Sequence, residues 1–374
     1  MTKKIQISNP ARELDEIKDF NQHFIKQIKS GFYVGGENVD LLEKSLANFL
    51  ETKYVVTLNS GTDALNSAIY ALNISEGDEV ILPSFTFFAT AEAVINRGAT
   101  IVFADIDEET YSIDLKNLIP LVNSKTKCII PVHLYGNNAD IENISEFCKN
   151  NKINLIEDCA QAFGSKTPSG KYLGTFGEIN AFSNYPSKTL GGIGDGGFIA
   201  TNSKKHYDLI KKYKNHGQAK NYEHEISGIN SRMDSINAFT LNQKLRMFNK
   251  IKESRDELVQ FYNSFLMNFD SVIVPKFQPN LLYNYYTIQL SANKRNKIME
   301  DLQNLGISTS IYYKKPLHMQ KAIKNYGYKF DDLSNTEFLS KRVLSLPLFP
   351  FMHKNEKSLI KKSITKVLKL NDIN

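Results

Sequence analysis

Apolar positions along the chain change their period repeatedly. Leu41 to Leu50 carries apolar residues at helical spacing, and Tyr54 to Leu58 is a short β-branched run. Ala64 to Leu72 returns to helical spacing, with Leu65, Ala68, Ile69 and Leu72 on one face. The alternation continues. Glu79 to Leu82 predicts a strand, Phe88 to Asn96 a helix, and Thr100 to Ala104 and Cys128 to Leu134 strands, followed by a helix over Ile141 to Asn150 and a strand over Ile153 to Ile156. Strands separated by helices need crossover connections, so the pattern predicts a mostly parallel sheet with both faces covered. After about Glu178 it becomes strand-rich, with Ile179 to Ser183 and Gly197 to Thr201 as candidates, and a long helical stretch runs from near Arg232 to about Phe265. Farther on, Tyr283 to Leu290 and Thr309 to Tyr313 read as strands, and Asn296 to Leu305 and Lys357 to Leu370 as helices. This change of character predicts a large α/β domain over residues 1–245 and a smaller α+β domain over 246–374.

Composition narrows the picture only a little. With 374 residues, 41% hydrophobic and 23% charged, the chain can bury a large core, which excludes wholesale disorder. The formal charge of +6 comes from 46 basic and 40 acidic side chains scattered among one another. That dispersion argues against a nucleic-acid stripe and suits an anionic small substrate equally well. Cys128, Cys148 and Cys159 cannot close a set of disulfides and do not stand at metal-ligand spacing, which fits a reducing compartment. The opening Met-Thr-Lys-Lys-Ile-Gln-Ile has no continuous apolar stretch, and no window approaches the roughly 18 apolar residues of a bilayer span. A cytoplasmic protein with no membrane or nucleic-acid partner is the expectation.

Ligands of open α/β sheets lie beyond the carboxyl ends of the strands, so candidate chemistry is sought there. Asn59-Ser60-Gly61-Thr62-Asp63 follows one strand and opens a helix, where free amides and the helix dipole favour an anion such as a phosphate held by Gly61 and Thr62. An ordinary N-cap by Ser60 or Thr62 is the other reading. Glu157-Asp158 ends an apolar strand in two carboxylates, which are costly to bury without a partner. A protonated pyridine nitrogen would serve one of them, as would a core Arg or Lys or a bound metal ion. Lys188 stands between Pro186 and the glycine run Gly191-Gly192-Ile193-Gly194-Asp195-Gly196-Gly197, and a partly buried lysine that can lose its proton is what carbonyl condensation needs. The same run contains a GxGxxG pattern, but a strand rather than a helix follows it, against a dinucleotide site. Among Phe85, Phe87 and Phe88 an aromatic could stack on a flat ring, and His133 reads as a satisfied buried polar group.

Together these segments resemble the DegT/DnrJ/EryC1/StrS family of nucleotide-sugar aminotransferases, a branch of the fold type I enzymes that use pyridoxal 5′-phosphate. The resemblance runs through Ser30–Gly36, Asn59–Leu65, Pro83–Thr90, Glu157–Gln161, Ser183–Lys188, Gly194–Gly197, Gly228–Asp234 and Pro316–His318. It implies that Lys188 carries the cofactor covalently and then moves the proton between substrate and cofactor, pyridoxamine phosphate being the halfway form. It implies that Asp158 pairs with the ring nitrogen, Gln161 meets the ring hydroxyl and Phe87 stacks on the ring. Gly61, Thr62 and Ser183 would hold the phosphate. Asn230 would reach the phosphate of a neighbouring subunit, making the active unit a homodimer. L-glutamate would be the amino donor and a nucleotide-linked keto sugar the acceptor, with Tyr185, Tyr313 and His318 as substrate contacts and no metal. Members that aminate C-4 commonly carry His where Tyr185 stands; Tyr185-Pro186 is the pattern of members that aminate C-3. The resemblance therefore points to a dTDP-3-keto-6-deoxyhexose giving a dTDP-3-amino-3,6-dideoxyhexose, with UDP-linked 3-keto-hexuronates as the near rival and 4-keto sugars behind. Members that dehydrate their sugar replace the lysine by His, and a non-catalytic relative would lose Lys188 or Asp158. Two departures, Asn184 for an aromatic and Tyr312-Tyr313-Lys314-Lys315 for a His-Tyr-Pro stretch, bear on the acceptor.

Overall fold

In the computed structural model, which describes residues 4–220 and 222–372, the alternating periods resolve into one large sheet. Residues 1–3, the start of the stretch read for a leader, lie outside the described residues. Seven strands come from the first 201 residues: β1 (Tyr54–Leu58), β2 (Glu79–Pro83), β3 (Thr100–Ala104), β4 (Thr126–Ile129), β5 (Asn154–Asp158), β6 (Ile179–Ser183) and β7 (Gly197–Thr201). After a small ribbon of β8 (Gln218–Lys220) and β9 (Glu223–His224), three more follow: β10 (Tyr286–Gln289), β11 (Lys329–Phe330) and β12 (Val343–Leu346). The large sheet has the order β1-β7-β6-β5-β4-β2-β3-β11. Neighbours from β6 to β11 are parallel, and only β7 runs against its neighbours β6 and β1. The mostly parallel α/β arrangement is thus the one the alternation predicts.

Its strands are buried on both faces, as crossover helices require. The helices Gly61–Ala71 and Phe88–Ile95 pack Leu65, Ala68, Ile69 and Val94 on one side of the sheet against Val56, Val80, Ile101 and Ile156. Glu37–Leu50 and Ser235–Arg246 bring Leu42, Leu46, Leu50, Ala238 and Leu241 to a separate core with Phe163, Phe182 and Phe198. A further core gathers Leu258, Tyr262, Tyr286, Ile288, Leu346, Ile360 and Ile364 around the β10–β12 pair, and Ile5 joins it from the other end of the chain. The C-terminal segment also feeds the large sheet, because β11 pairs with β3. Among the described residues no helix is long and apolar enough to cross a membrane.

Several expectations need correction. The strand expected over Cys128 to Leu134 stops at Ile129: Pro131 has no N–H to give the ladder, and the chain then turns through Leu134–Gly136, where Tyr135 adopts φ +61°. Gly136 (φ +101°) sits so close to the Leu282 carbonyl that a Cβ would lie 2.2 Å from it, so no side chain fits the turn. The long helix from Arg232 to Phe265 is two helices, Ser235–Arg246 and Phe248–Leu266, broken at Met247. Apolar spacing runs through the break because each helix has its own core to fill, the first on the large sheet and the second on the β10–β12 pair. Thr309 to Tyr313 is not a strand. Ser310 makes a single bridge to Ser345, and the tyrosines that follow form a wall of the site described below.

The end of β5 shows how the sheet handles charge. Successive strand residues point to opposite faces, so Glu157 and Asp158 part company. Glu157 is fully buried and accepts from the N–H groups of Gly174 (2.7 Å), Phe176 (2.6 Å) and Gly177 (3.0 Å), with His133 Nε2 at 3.0 Å. His133 Nδ1 in turn accepts from Ala139 N–H at 3.2 Å, so Nε2 carries the ring proton and His133 is the satisfied buried group its context suggests. Glu157→Gln would set an NH2 group against these donors. It should lower the denaturation midpoint by the equivalent of about 3 kcal/mol, and an unchanged midpoint would show that the amides do not depend on this carboxylate.

Candidate active site

Because the strands from β1 to β6 point the same way, apart from the intervening β7, their carboxyl ends open onto one cavity of about 570 Å³. β1 delivers Ser60, Gly61 and Thr62, β2 delivers Thr86 and Phe87, β5 delivers Asp158 and Gln161, and β6 delivers Ser183, Tyr185, Ser187 and Lys188. The antiparallel β7 begins where the others end, which adds Asp195 and Gly196. The C-terminal part of the chain closes one side with Tyr285, Tyr312 and Tyr313.

At the helix start the N-cap reading of Asn59–Asp63 holds, and it leaves the first-turn amides that the anion reading needs. Ser60 is the N-cap, its Oγ accepting from Asp63 N–H at 3.0 Å, while Gly61 and Thr62 stand in the first turn, whose N–H groups have no carbonyl within the helix. Gly61 lies against Ser183 so tightly that a Cβ would come within 2.7 Å of the serine Cβ. The turn is seated by a pair of bonds in which Asn59 N–H donates to Ser231 Oγ (3.2 Å) and Ser231 O–H to Asn59 Oδ1 (3.0 Å). The result is an anion cup of amides and hydroxyls at the positive end of a helix.

Across the cavity stands Asp158. Thr90 O–H donates to its Oδ2 at 2.9 Å and Ala160 N–H to its Oδ1 at 3.1 Å. Burial pushes its pKa above the ordinary carboxylate value, against those two donors and the nearby charge of Lys188. A carboxylate with only neutral donors in a buried wall fits a cationic ring nitrogen. Lys188 is the other charged member. Burial draws its ammonium down to about 8, opposed by the Asp158 carboxylate, and among the described residues its Nζ makes no hydrogen bond or ion pair. Lys188 is part-buried and lines the cavity. The buried Lys244, by contrast, donates to the Gly191 carbonyl (2.8 Å) and pairs with Glu13 (2.9 Å). Gly191 packs against the Pro186–Lys188 turn, so Lys244 steadies the loop that carries Lys188. No sequence spacing ties Glu13 or Lys244 to this loop, and neither was legible beforehand.

The remaining wall is aromatic. Phe87 is 55% exposed, facing Tyr313 at a ring-centroid distance of 6.0 Å, and Tyr185 is half-exposed at the mouth. Gln161 is spanned between two partners: its Oε1 accepts from Tyr135 N–H at 2.8 Å and its Nε2 donates to Tyr313 OH at 3.2 Å. Asn230, expected to serve a neighbouring subunit, and His318, expected as a substrate contact, both lie off this cavity. Asn230 is exposed, its Oδ1 accepting from Arg232 Nε at 3.1 Å, and it does not line the cavity of its own chain. His318 is buried behind the wall, its Nδ1 2.7 Å from Ser84 Oγ, and it does not line the cavity either. Asn184 alternates with its cavity-lining neighbours and bonds the Leu190 carbonyl at 2.9 Å, so it bears on the loop rather than on a ligand. The glycine run serves close packing: Asn237 accepts from Ile193 N–H (3.0 Å) and donates to the Asp195 carbonyl (2.8 Å), leaving no room for a Cβ at Gly192.

An anion cup, a buried carboxylate awaiting a cation, an exposed aromatic face and an unpaired lysine of lowered pKa together fit pyridoxal phosphate. Comparison with known proteins agrees. The model of the DegT/DnrJ/EryC1/StrS aminotransferase family matches residues 14–365. The UDP-2-acetamido-2-deoxy-3-oxo-D-glucuronate aminotransferase of Pseudomonas aeruginosa is 36% identical, covering 87% of this chain and 89% of that protein. The dTDP-3-amino-3,6-dideoxy-alpha-D-galactopyranose transaminase of Aneurinibacillus thermoaerophilus is 33% identical, covering 91% of this chain and 92% of its own. Among solved structures, Streptomyces venezuelae DesV in complex with a ketimine intermediate superimposes with a TM-score of 0.92 at 29% identity, over 98% of this chain and 99% of that one. The chain therefore belongs to the DegT/DnrJ/EryC1/StrS aminotransferase family and is a pyridoxal phosphate-dependent aminotransferase.

Proposed function

We propose that this enzyme transfers the amino group of L-glutamate to C-3 of a nucleotide-linked keto sugar, with a dTDP-3-keto-6-deoxyhexose as acceptor and a dTDP-3-amino-3,6-dideoxyhexose as product. The observation that carries the reaction is Lys188, a cavity-lining amine of lowered pKa with no hydrogen-bond partner, sharing the cavity with the buried carboxylate of Asp158 and the helix start at Gly61 and Thr62. Bound pyridoxal phosphate supplies an electron sink for the carbon that loses its proton. In this reading, Gly61 and Thr62 amides and the Ser183 hydroxyl bind the phosphate, and Asp158 holds the positive charge of the ring nitrogen. Thr90 and Ala160 keep that carboxylate in place. Phe87 and Gln161, both lining the cavity, would hold the ring by its face and its hydroxyl. Lys188 Nζ, able to shed its proton near neutral pH, attaches the cofactor and later carries the proton from and to the substrate carbon. Asn230, exposed and outside its own cavity, reaches a second copy of the chain, which makes the working unit a homodimer.

Transfer to C-3 is supported by Tyr185-Pro186 and by the two relatives, whose names both specify the 3-position. The choice of a neutral 6-deoxy sugar rests on the lining. Among the residues lining the cavity the charged side chains are Asp158, Lys188 and Asp195, so the lining itself offers a hexuronate carboxylate no cation besides Lys188, while Tyr185, Tyr285, Tyr312 and Tyr313 offer flat apolar faces. A UDP-linked 3-keto-hexuronate is the second reading, favoured by the identity to the Pseudomonas enzyme.

Mass spectrometry of products from a panel of dTDP- and UDP-linked 3-keto and 4-keto sugars should show the dTDP-3-amino-3,6-dideoxyhexose as the main product. Turnover of UDP-hexuronates or 4-keto sugars in its place would reject this acceptor. The purified protein should absorb visible light, and L-glutamate should bleach it. Lys188→Ala should lower turnover by at least about 10²- to 10⁴-fold while cofactor still binds noncovalently, and Asp158→Asn should be severely impaired; near-normal rates in either would defeat the assigned roles. Because the Lys188 pKa lies at about 8, attachment of cofactor to apoprotein, followed by absorbance, should accelerate roughly tenfold between pH 7 and pH 9 and level off above. A rate independent of pH over that range would mean that the neutral amine does not limit the reaction.

A further inference from the structure

Ser84 follows β2 directly, two residues before Thr86 and three before Phe87, and is fully buried. On the other side of the cavity, Tyr312 and Tyr313 lead into the short 3-10 turn Leu317–Met319. A single clasp joins these segments, which lie more than two hundred residues apart in sequence. Leu317 N–H donates to the Ser84 carbonyl at 2.9 Å, His318 N–H donates to Ser84 Oγ at 3.3 Å, and that oxygen lies 2.7 Å from His318 Nδ1. Glu337 Oε1 stands 3.5 Å from Nε2, which makes no hydrogen bond, and the serine O–H can donate to Nδ1 when the ring proton is on Nε2. Burial lowers the pKa of the ring below its ordinary value, so it is neutral near pH 7. The imidazole also stacks on Phe330 of β11 at 6.2 Å, and the His318 carbonyl accepts from Tyr328 O–H at 3.0 Å. The tyrosine wall has separate tethers on the β5 side, where Tyr135 O–H donates to the Tyr312 carbonyl and Gln161 to Tyr313 OH. The Ser84–His318 clasp is its tether on the β2 side.

We infer that His318 is a positioning residue which, through Ser84, sets the distance between the Tyr312–Tyr313 wall and the Thr86–Phe87 wall, and with it the fit of the acceptor sugar. His318 does this without lining the cavity. The inference rests on the proposed amino transfer only for the sugar used as probe. The smaller donor, glutamate, does not require the full width, so its half-reaction should be spared.

The test compares Ser84→Ala, His318→Phe and His318→Asn in the full-length holoenzyme, with hydrogen exchange of the His318 amide in the sugar-free protein as a second readout. Ser84→Ala and His318→Phe should speed that exchange and raise the KM for the dTDP-3-keto sugar about tenfold, a scale typical of small misplacements in a site. The glutamate half-reaction should stay within about twofold of the parent. His318→Asn, whose amide oxygen can take the place of Nδ1, should restore both readouts. Unchanged exchange and KM would overturn the inference, as would a lower melting temperature with an unchanged KM. So would a His318→Asn variant as damaged as His318→Phe beside a near-normal Ser84→Ala, the pattern of direct substrate contact. If the parent enzyme does not turn over the dTDP sugar, the acceptor assignment fails by itself, and the His318 amide exchange with its recovery in His318→Asn still decides the clasp.

Discussion

The site depends on two opposite charges held in a water-poor cavity without touching one another. Removal from water disfavours the charged forms of both Lys188 and Asp158, drawing the amine down to about 8 and the carboxyl upward. Their mutual attraction opposes this. A direct salt bridge would have satisfied the pair and left neither free for chemistry. Neutral donors, Thr90 and Ala160, hold the carboxylate, while Lys188 Nζ has no hydrogen bond. That imbalance is the physical reason a cationic ring nitrogen and a carbonyl carbon fit between them.

Several features of the fold bear on this arrangement. The sheet lines up its carboxyl strand ends, so an anion cup, a carboxylate and a lysine loop far apart in sequence meet at one rim. The alternation of strand side chains sorts Glu157 from Asp158. The first is consumed by three backbone amides and His133 and holds the loop Gly174–Gly177, and the second is left to the cavity. Cationic order is kept in the same way. Lys244 is spent on Gly191 and Glu13, and Lys214 on Glu43 and the Thr57 carbonyl, so that among these enclosed lysines Lys188 alone is left unpaired. The aromatic side of the cavity is brought in by the C-terminal part of the chain and tied on two flanks, by Tyr135 and Gln161 and by Ser84.

Much of this was legible in the sequence because it depends on local order. Alternating periods gave the parallel sheet, and the small residues of Asn59–Asp63, the acids after an apolar run and the lysine beside a glycine run marked three cavity walls. These signals are short-range: a turn, a strand end and a helix start are each written in a few consecutive residues. The errors came where packing decided instead. Apolar spacing passes through Met247 unbroken because two helices serve two cores, and the run after Ile129 leaves the sheet at a proline.

By itself, then, the order of residues determined the α/β class and, through the family it resembles, the cofactor. Tertiary structure alone decided that Glu157 is spent on the Gly174–Gly177 loop and His133, that His318 stands behind the wall, and that Glu13 and Lys244 brace the lysine loop. Those outcomes follow from which face of the sheet a side chain meets and which distant segment lies against it, and neither is encoded in the neighbours along the chain.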